Sequence, residues 1–139
     1  MTTRLPGELP VIDGPVVLDS SCWLEYLGDT PRADLYAPAL QNLAALIVPV
    51  ITIYEVFKVA KRDFGIRSAA EAVVLMRRGR VVDIDFNLVV AAAATGLPLA
   101  DSLIYATAQK HEAVLWTQDA HFEGLEGVKY FATKNASEA

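Results

Sequence analysis

Cysteine is nearly missing from this chain: Cys22 is the only one among 139 residues. No internal disulfide can form, and no thiolate zinc site can be built. Histidine amounts to two residues, His111 and His121, and they do not form a ligand pair. A long apolar run is absent as well. The longest stretch, Leu43 to Tyr54, carries Pro49 and Thr52 and stops at Glu55, too short to cross a bilayer. The N-terminus lacks the apolar segment of a secretory leader, so we expect a soluble, cytoplasmic protein. No internal repeat, low-complexity tract or linker interrupts the chain. Net positive charge is also lacking: the balance is −5, which argues against a general affinity for nucleic acid.

What is present is enough apolar material for one core. The hydrophobic fraction is 53% and the charged fraction 21%, which suits one compact domain and excludes wholesale disorder. Pro6, Gly7, Pro10 and Gly14 leave residues 1–14 without a sustained period, so we expect an N-terminal extension there. Residues 15–132 should form the domain, and the polar tail 133–139 should fray. The positive charge is uneven. Lys58, Lys61, Arg62, Arg67, Arg77, Arg78 and Arg80 place seven of the twelve Lys and Arg residues within 23 positions. This cluster reads equally well as a surface that steers a polyanion and as the solvated faces of two helices.

Short apolar runs alternate with helical patterns. Pro15 to Asp19 reads as a buried parallel strand ending in an acid. Ser20 is placed to cap a helix carrying Trp23, Leu24 and Leu27. Thr30-Pro31 opens a second helix, expected to run to about Leu46 with Leu35, Ala39, Leu43 and Leu46 inward. Ile47-Val48 is a second strand ended by Pro49, and Val50 to Phe64 a helix stopped by Gly65. A helix over Ser68 to Arg78 follows, then a strand over Arg80 to Ile84 and a helix capped by Asp85 through Ala94. Asp101 to His111 is the next helix. Ala113 to Trp116 and Val128 to Phe131 are the fourth and fifth strands. Such alternation implies an α/β fold with a parallel sheet covered on both faces.

Parallel sheets place their sites beyond the carboxyl ends of the strands, where strand order reverses. Asp19 ends the first strand and Asp119 follows the fourth. Glu55 lies in the helix after the second, and Asp101 opens the helix before the fourth. If strands one and four are neighbours, these acids meet at one crevice. Gathered carboxylates repel one another, and a cation removes that cost. Oxygen ligands without cysteine or a histidine pair select a hard ion, Mg²⁺ or Mn²⁺. An ion of that kind can acidify and orient a water and stabilise charge on a phosphoryl group, so the chemistry indicated is phosphodiester hydrolysis. Each acid also has a structural reading. Asp19 and Asp101 can be helix caps, each stabilising by about 1 kcal/mol. Glu55 can pair with Lys58 for about 0.3 kcal/mol, and Asp119 can be a turn residue. The four together raise the odds of a site.

Four segments carry a resemblance: Val16-Val17-Leu18-Asp19-Ser20-Ser21, Thr52-Ile53-Tyr54-Glu55-Val56, Leu97-Pro98-Leu99-Ala100-Asp101-Ser102-Leu103-Ile104 and Leu115-Trp116-Thr117-Gln118-Asp119-Ala120-His121-Phe122. Through them the chain resembles the PIN-domain family, and most of all the VapC-type toxins, from about Pro15 to Phe131. The resemblance implies a PIN-like three-layer sandwich whose central parallel sheet of four to five short strands runs in the order 3-2-1-4-5. It also implies a Mg²⁺- or Mn²⁺-dependent endoribonuclease, usually dimeric, held inactive by a small VapB-like antitoxin. The family's acids map onto Asp19, Glu55, Asp101 and Asp119, and its hydroxyl near the last acid maps onto Thr117. Where the family often has a basic residue before the last acid, this chain has Gln118.

Other expectations follow from the residues. Lys58 and Arg62 fall within about 60° of the direction of Glu55 on their helix, so with Ser20 they are candidates for contacting RNA. Trp23, Tyr26, Leu27 and Tyr36 are more large apolar surface than we expect one core to absorb, which predicts a two-fold homodimer. An antitoxin would present Arg or Lys to the acids and apolar residues to a nearby groove. His121 reads as a loop residue rather than a general base, Phe122 as packing under the site loop, Cys22 as inert, Asp83 as surface, and Asp63 as pairing locally. Two other functions use the same fold: an RNA-processing nuclease without an antitoxin, and a non-catalytic binding module. A phosphorylated receiver domain needs a phosphoacceptor Asp after the third strand and a late Lys after the fifth, and neither fits, since Asp85 reads as a helix cap.

Overall fold

Val16, Val17 and Leu18 are all buried, which is the pattern of a strand covered on both faces. A computed structural model describes residues 14–133. The expected extension and tail otherwise lie outside the described residues. The elements are β1 (Val16–Leu18), α1 (Ser20–Leu27), α2 (Ala33–Leu40), β2 (Leu46–Pro49), α3 (Val50–Phe64), α4 (Ile66–Met76), β3 (Arg80–Val82), α5 (Phe86–Ala93), α6 (Leu99–Lys110), β4 (Val114–Thr117) and β5 (Val128–Tyr130). Two 3₁₀ turns, Leu43–Ala45 and Ala120–Phe122, complete the elements among the described residues. The strands pair in parallel in the order β3-β2-β1-β4-β5, as the sequence led us to expect.

Side chains alternate across the sheet. Val16, Leu18, Leu46, Val48 and Trp116 point into one layer, against Cys22, Trp23, Tyr36 and Met76. Val17, Ile47 and Leu115 point into the other, against Ile104, Tyr105 and Phe122. α5 packs on α6 through Leu88, Ala92, Leu103 and Ala106. α3 touches both layers, with Ile51 on the α5–α6 side and Val56 on the α1 side. Large rings dominate the first layer. Each removes roughly 150–250 Å² from water, a gross gain on the order of 4–6 kcal/mol at about 25 cal/mol per Å².

Two glycines are required by geometry. Gly65 has φ +95, which lets α3 turn directly into α4. At Gly79 a Cβ would lie 2.9 Å from Val48 Cγ2 and 3.2 Å from the Leu46 carbonyl oxygen, so only glycine lets the chain pass β2 on its way into β3.

The structure corrects several expectations. The second helix stops at Leu40 rather than near Leu46. Leu46 is instead paired with Val16 in the sheet, and Leu35, expected inward, is exposed. The helix also starts late, because the Thr30 hydroxyl accepts the Arg32 N–H at 3.2 Å and closes a local turn first. Ser20 does not cap α1; Asp19 does. Of the four residues expected to form a dimer surface, Trp23 and Tyr36 are buried, and only Tyr26 and Leu27 remain half-exposed. The exposed apolar surface lies elsewhere. On α5, Phe86, Val89 and Val90 are 81%, 49% and 56% exposed.

Candidate active site

Asp19 leaves β1 at the carboxyl edge of the sheet, and its backbone N–H donates to the Trp116 carbonyl at 2.9 Å, which fixes β1 beside β4. Its carboxylate is buried. Oδ1 accepts the Ser20 N–H at 2.9 Å and Oδ2 accepts the Thr117 hydroxyl at 2.7 Å. Burial pushes this carboxyl up to about 6, and Asp101 and Glu55 push the same way; the two hydrogen bonds offset part of the rise.

The other acids join through a continuous chain of contacts. The Ser20 hydroxyl donates to Glu55 Oε1 at 2.6 Å, which ties α3 to the start of α1. Glu55 therefore takes Ser20, and not Lys58, as its partner. Thr117 Oγ1 accepts the Asp119 N–H at 3.0 Å while donating to Asp19, so one hydroxyl couples two acids. Asp119 accepts the His121 N–H at 2.9 Å and caps the 3₁₀ turn Ala120–Phe122. His121 Nδ1 lies 3.0 Å from Asp101 Oδ2 and 3.4 Å from Asp119 Oδ1. Asp101 is not the cap of α6, because Pro98 holds that position. It sits in the first turn, where the helix dipole favours a negative charge. Even so, burial pushes its carboxyl up, against the pull of His121. The hydrogen bond that His121 donates to Asp101 and the charge of Asp119 hold the imidazole above its usual value.

His121 is the residue that sequence reasoning dismissed. Its signal was the Asp119-Ala120-His121 spacing: an acid that caps a tight turn brings the side chain two positions on back toward itself. Phe122 is buried against Tyr105, as expected, and it anchors that turn. Gln118 turns into the α1–α2 layer, where Oε1 accepts the Tyr36 hydroxyl at 2.6 Å and Arg32 Nε at 2.9 Å. Ser20 is buried, with its hydroxyl committed to Glu55, so the RNA contact expected of it is not available in this geometry. Arg62 forms a bidentate pair with Asp63 at 2.8 and 3.2 Å. Lys58 is exposed and lies 5.8 Å from the Tyr54 ring centroid. Cys22 is buried and its thiol is pushed up to about 12, chiefly by that burial, in keeping with an inert role.

Among the described residues, none of the four acids pairs with a Lys or Arg. Four carboxylates with no Lys or Arg partner, two of them raised chiefly by burial, form a donor set that suits a hard divalent cation. Asp101 and Asp119, with His121, bring three ligand atoms within 4.8 Å of one another. Asp19 and Glu55 stand outside that group: Thr117 links Asp19 to Asp119, and Ser20 links Asp19 to Glu55.

A parallel 3-2-1-4-5 sheet with acids gathered at its carboxyl edge defines an α/β protein of the carboxylate-site class. The PIN domain matches residues 16–128, and the chain belongs to that family. Among curated proteins none matches the chain. Solved structures do. A toxin–antitoxin complex from Klebsiella pneumoniae is 23% identical, with a TM-score of 0.67, covering 82% of this chain and 95% of that one. VapC20 of Mycobacterium tuberculosis, described as a sarcin–ricin loop cleaving toxin, is 15% identical with a TM-score of 0.69, covering 80% and 95%. DNA-bound VapBC of Salmonella typhimurium is 17% identical with a TM-score of 0.64, covering 86% and 98%. At these identities the likeness is one of fold. No helix among the described residues is long and apolar enough to cross a membrane.

Proposed function

We propose that this chain is a Mg²⁺- or Mn²⁺-dependent endoribonuclease that hydrolyses RNA phosphodiester bonds in the cytoplasm as the toxin of a type II toxin–antitoxin pair. The observation that carries this reading is the chain of contacts that joins Glu55, Asp19, Asp119 and Asp101 through Ser20, Thr117 and His121, with none of the four acids paired to a Lys or Arg among the described residues. Asp19, Asp101 and Asp119 would hold the ion, with Glu55 direct or through water. When bound, the ion neutralises the acids, activates a water and stabilises charge on the phosphoryl group. The protein's part is positioning. Thr117 holds Asp19 and the Asp119 backbone in one geometry, and Ser20 aims Glu55. On α3, Tyr54 offers an exposed ring and Lys58 a cation beside Glu55, a pairing that suits a base and a phosphate of single-stranded RNA. Arg62 can join them by leaving Asp63.

The partners belong to the same proposal. A VapB-like antitoxin would insert Arg or Lys among the acids. Its apolar residues would fill the cleft between α1 and the α3–α4 hairpin, lined by Leu27, Ala60, Phe64 and Leu75. A homodimer would use the exposed stripe of α5. The comparison that tests the activity is Mn²⁺-dependent cleavage of total RNA by the wild type beside Asp19→Asn. Cleavage should be present in the first and reduced by orders of magnitude in the second. Equal cleavage in both would remove the acids from the chemistry. Full cleavage in the presence of the protein encoded by the adjacent reading frame would favour RNA processing over a toxin.

A further inference from the structure

The most exposed corner of the crevice holds a nitrogen donor, which the four acids do not require. His121 Nδ1 lies 3.0 Å from Asp101 Oδ2 and 3.4 Å from Asp119 Oδ1. Its place is set from three sides. Asp119 caps the turn that carries it, Phe122 buries the next side chain against Tyr105, and Asp101 arrives from the first turn of α6. The imidazole is within reach of a ligand from solvent, since 60% of its side-chain surface is exposed.

We infer that His121 is an additional ligand of the divalent ion, and that its nitrogen tilts the site toward Mn²⁺ and the later first-row ions over Mg²⁺. The inference rests on the proposal that the acids bind such an ion. Ligand atoms about 2.1 Å from an octahedral ion stand about 3.0 Å apart when they occupy adjacent positions. The spacing of Nδ1 from Asp101 matches that edge, and the spacing from Asp119 is slightly wider. A two-carboxylate, one-imidazole face then closes on one side of the ion. Mg²⁺ demands oxygen and gains little from imidazole, whereas the transition ions accept both. A site of four carboxylates alone would discriminate less. The neutral imidazole is the ligating form, so the carboxylate that now shares Nδ1 turns its lone pairs to the ion instead.

Hydrogen bonding produces the same 3.0 Å spacing, so the test must see the metal–nitrogen bond itself. Pulsed electron paramagnetic resonance of the Mn²⁺-loaded protein reads nitrogen hyperfine coupling directly. Coupling should appear in the wild type, change on labelling histidine with heavy nitrogen, and vanish in His121→Gln. Calorimetric titration should show Mn²⁺ binding weakened roughly tenfold in His121→Gln, the scale that follows when a metal's ligand shell is disturbed. Mg²⁺ binding should change by a smaller factor. The variant keeps its fold because the side chain is exposed, which circular dichroism checks. Mn²⁺ bound to the wild type without nitrogen coupling overturns this inference and leaves the four-acid reading standing. No Mn²⁺ binding to the wild type overturns both.

Discussion

At the scale of the residue, Asp19 holds the site and works against the fold. Its carboxyl is raised from 3.8 to about 6 by burial and by Asp101 and Glu55. The folded protein therefore holds this proton more tightly than the unfolded chain does. Stability falls as pH rises from about 4 to about 6, because the folded state must give up a proton that the unfolded state has already lost. Two units correspond to about 3 kcal/mol. Asp19→Asn removes this component. In chelator, the variant should melt above the wild type at pH 7, and the gap should close near pH 4. Saturating Mn²⁺ should reverse the order at pH 7, since only the wild type gains a full ligand set. Calorimetric melting at both pH values checks this, and a gap that does not vary with pH would show that Asp19 is not destabilised. Asp19, Asp101 and Asp119 were legible because each stands at or near an element boundary, and Glu55 because it breaks the apolar run that ends at Tyr54. His121 was not, because its meaning depends on Asp101, which is 20 residues away along the chain and 3.0 Å away in space.

At the scale of the element, strands of three or four residues were legible wherever the apolar run was bounded by proline, glycine or an acid. The second helix was misread because the 3.6-residue period continues through Leu43 and Leu46, while pairing with β1 claims Leu46 for the sheet. Sequence periodicity does not contain that competition. Nor does it contain the strut that carries the site loop. Gln118 lies between Thr117 and Asp119, yet its side chain reaches the other layer, to Tyr36 and Arg32. Arg32 in turn donates to the Phe131 carbonyl oxygen at 3.2 Å and pairs with Glu25 at 3.4 Å. Gln118→Ala leaves the Tyr36 hydroxyl without its carboxamide acceptor, a loss of about 1–3 kcal/mol. Because the same loop carries Thr117 and Asp119, Mn²⁺ affinity should fall together with the denaturation midpoint. Chemical denaturation alongside calorimetry checks the pair. A stability loss with unchanged metal affinity would separate the strut from the site.

At the scale of the whole molecule, the informative surface is the one the core leaves uncovered. Burial of Trp23 and Tyr36 leaves only Tyr26 and Leu27 half-exposed on the surface first expected to dimerise. α5 offers another. Phe86, Val89, Val90 and Ala93 recur at helical spacing and all face solvent, while Leu88 and Ala92 hold the helix to α6. The helix has no charged residue along its whole length. A stripe of this kind is costly in water and self-complementary about a two-fold axis, which is what an isologous contact requires. Leu99 follows at 78% exposed, two residues before Asp101, so a contact along α5 that reaches it would place two acid crevices near the same seam. Val90→Glu sets a charge in the middle of the stripe. The side chain is 56% exposed in the protomer, so the fold should survive, while pairing buries two like charges opposite one another. The wild type should scatter light as a dimer at micromolar concentration and the variant as a monomer. A wild-type monomer would remove the homodimer from the proposal. A variant that remains dimeric would move the interface to α4, where Ile66 and Val74 are 59% and 66% exposed.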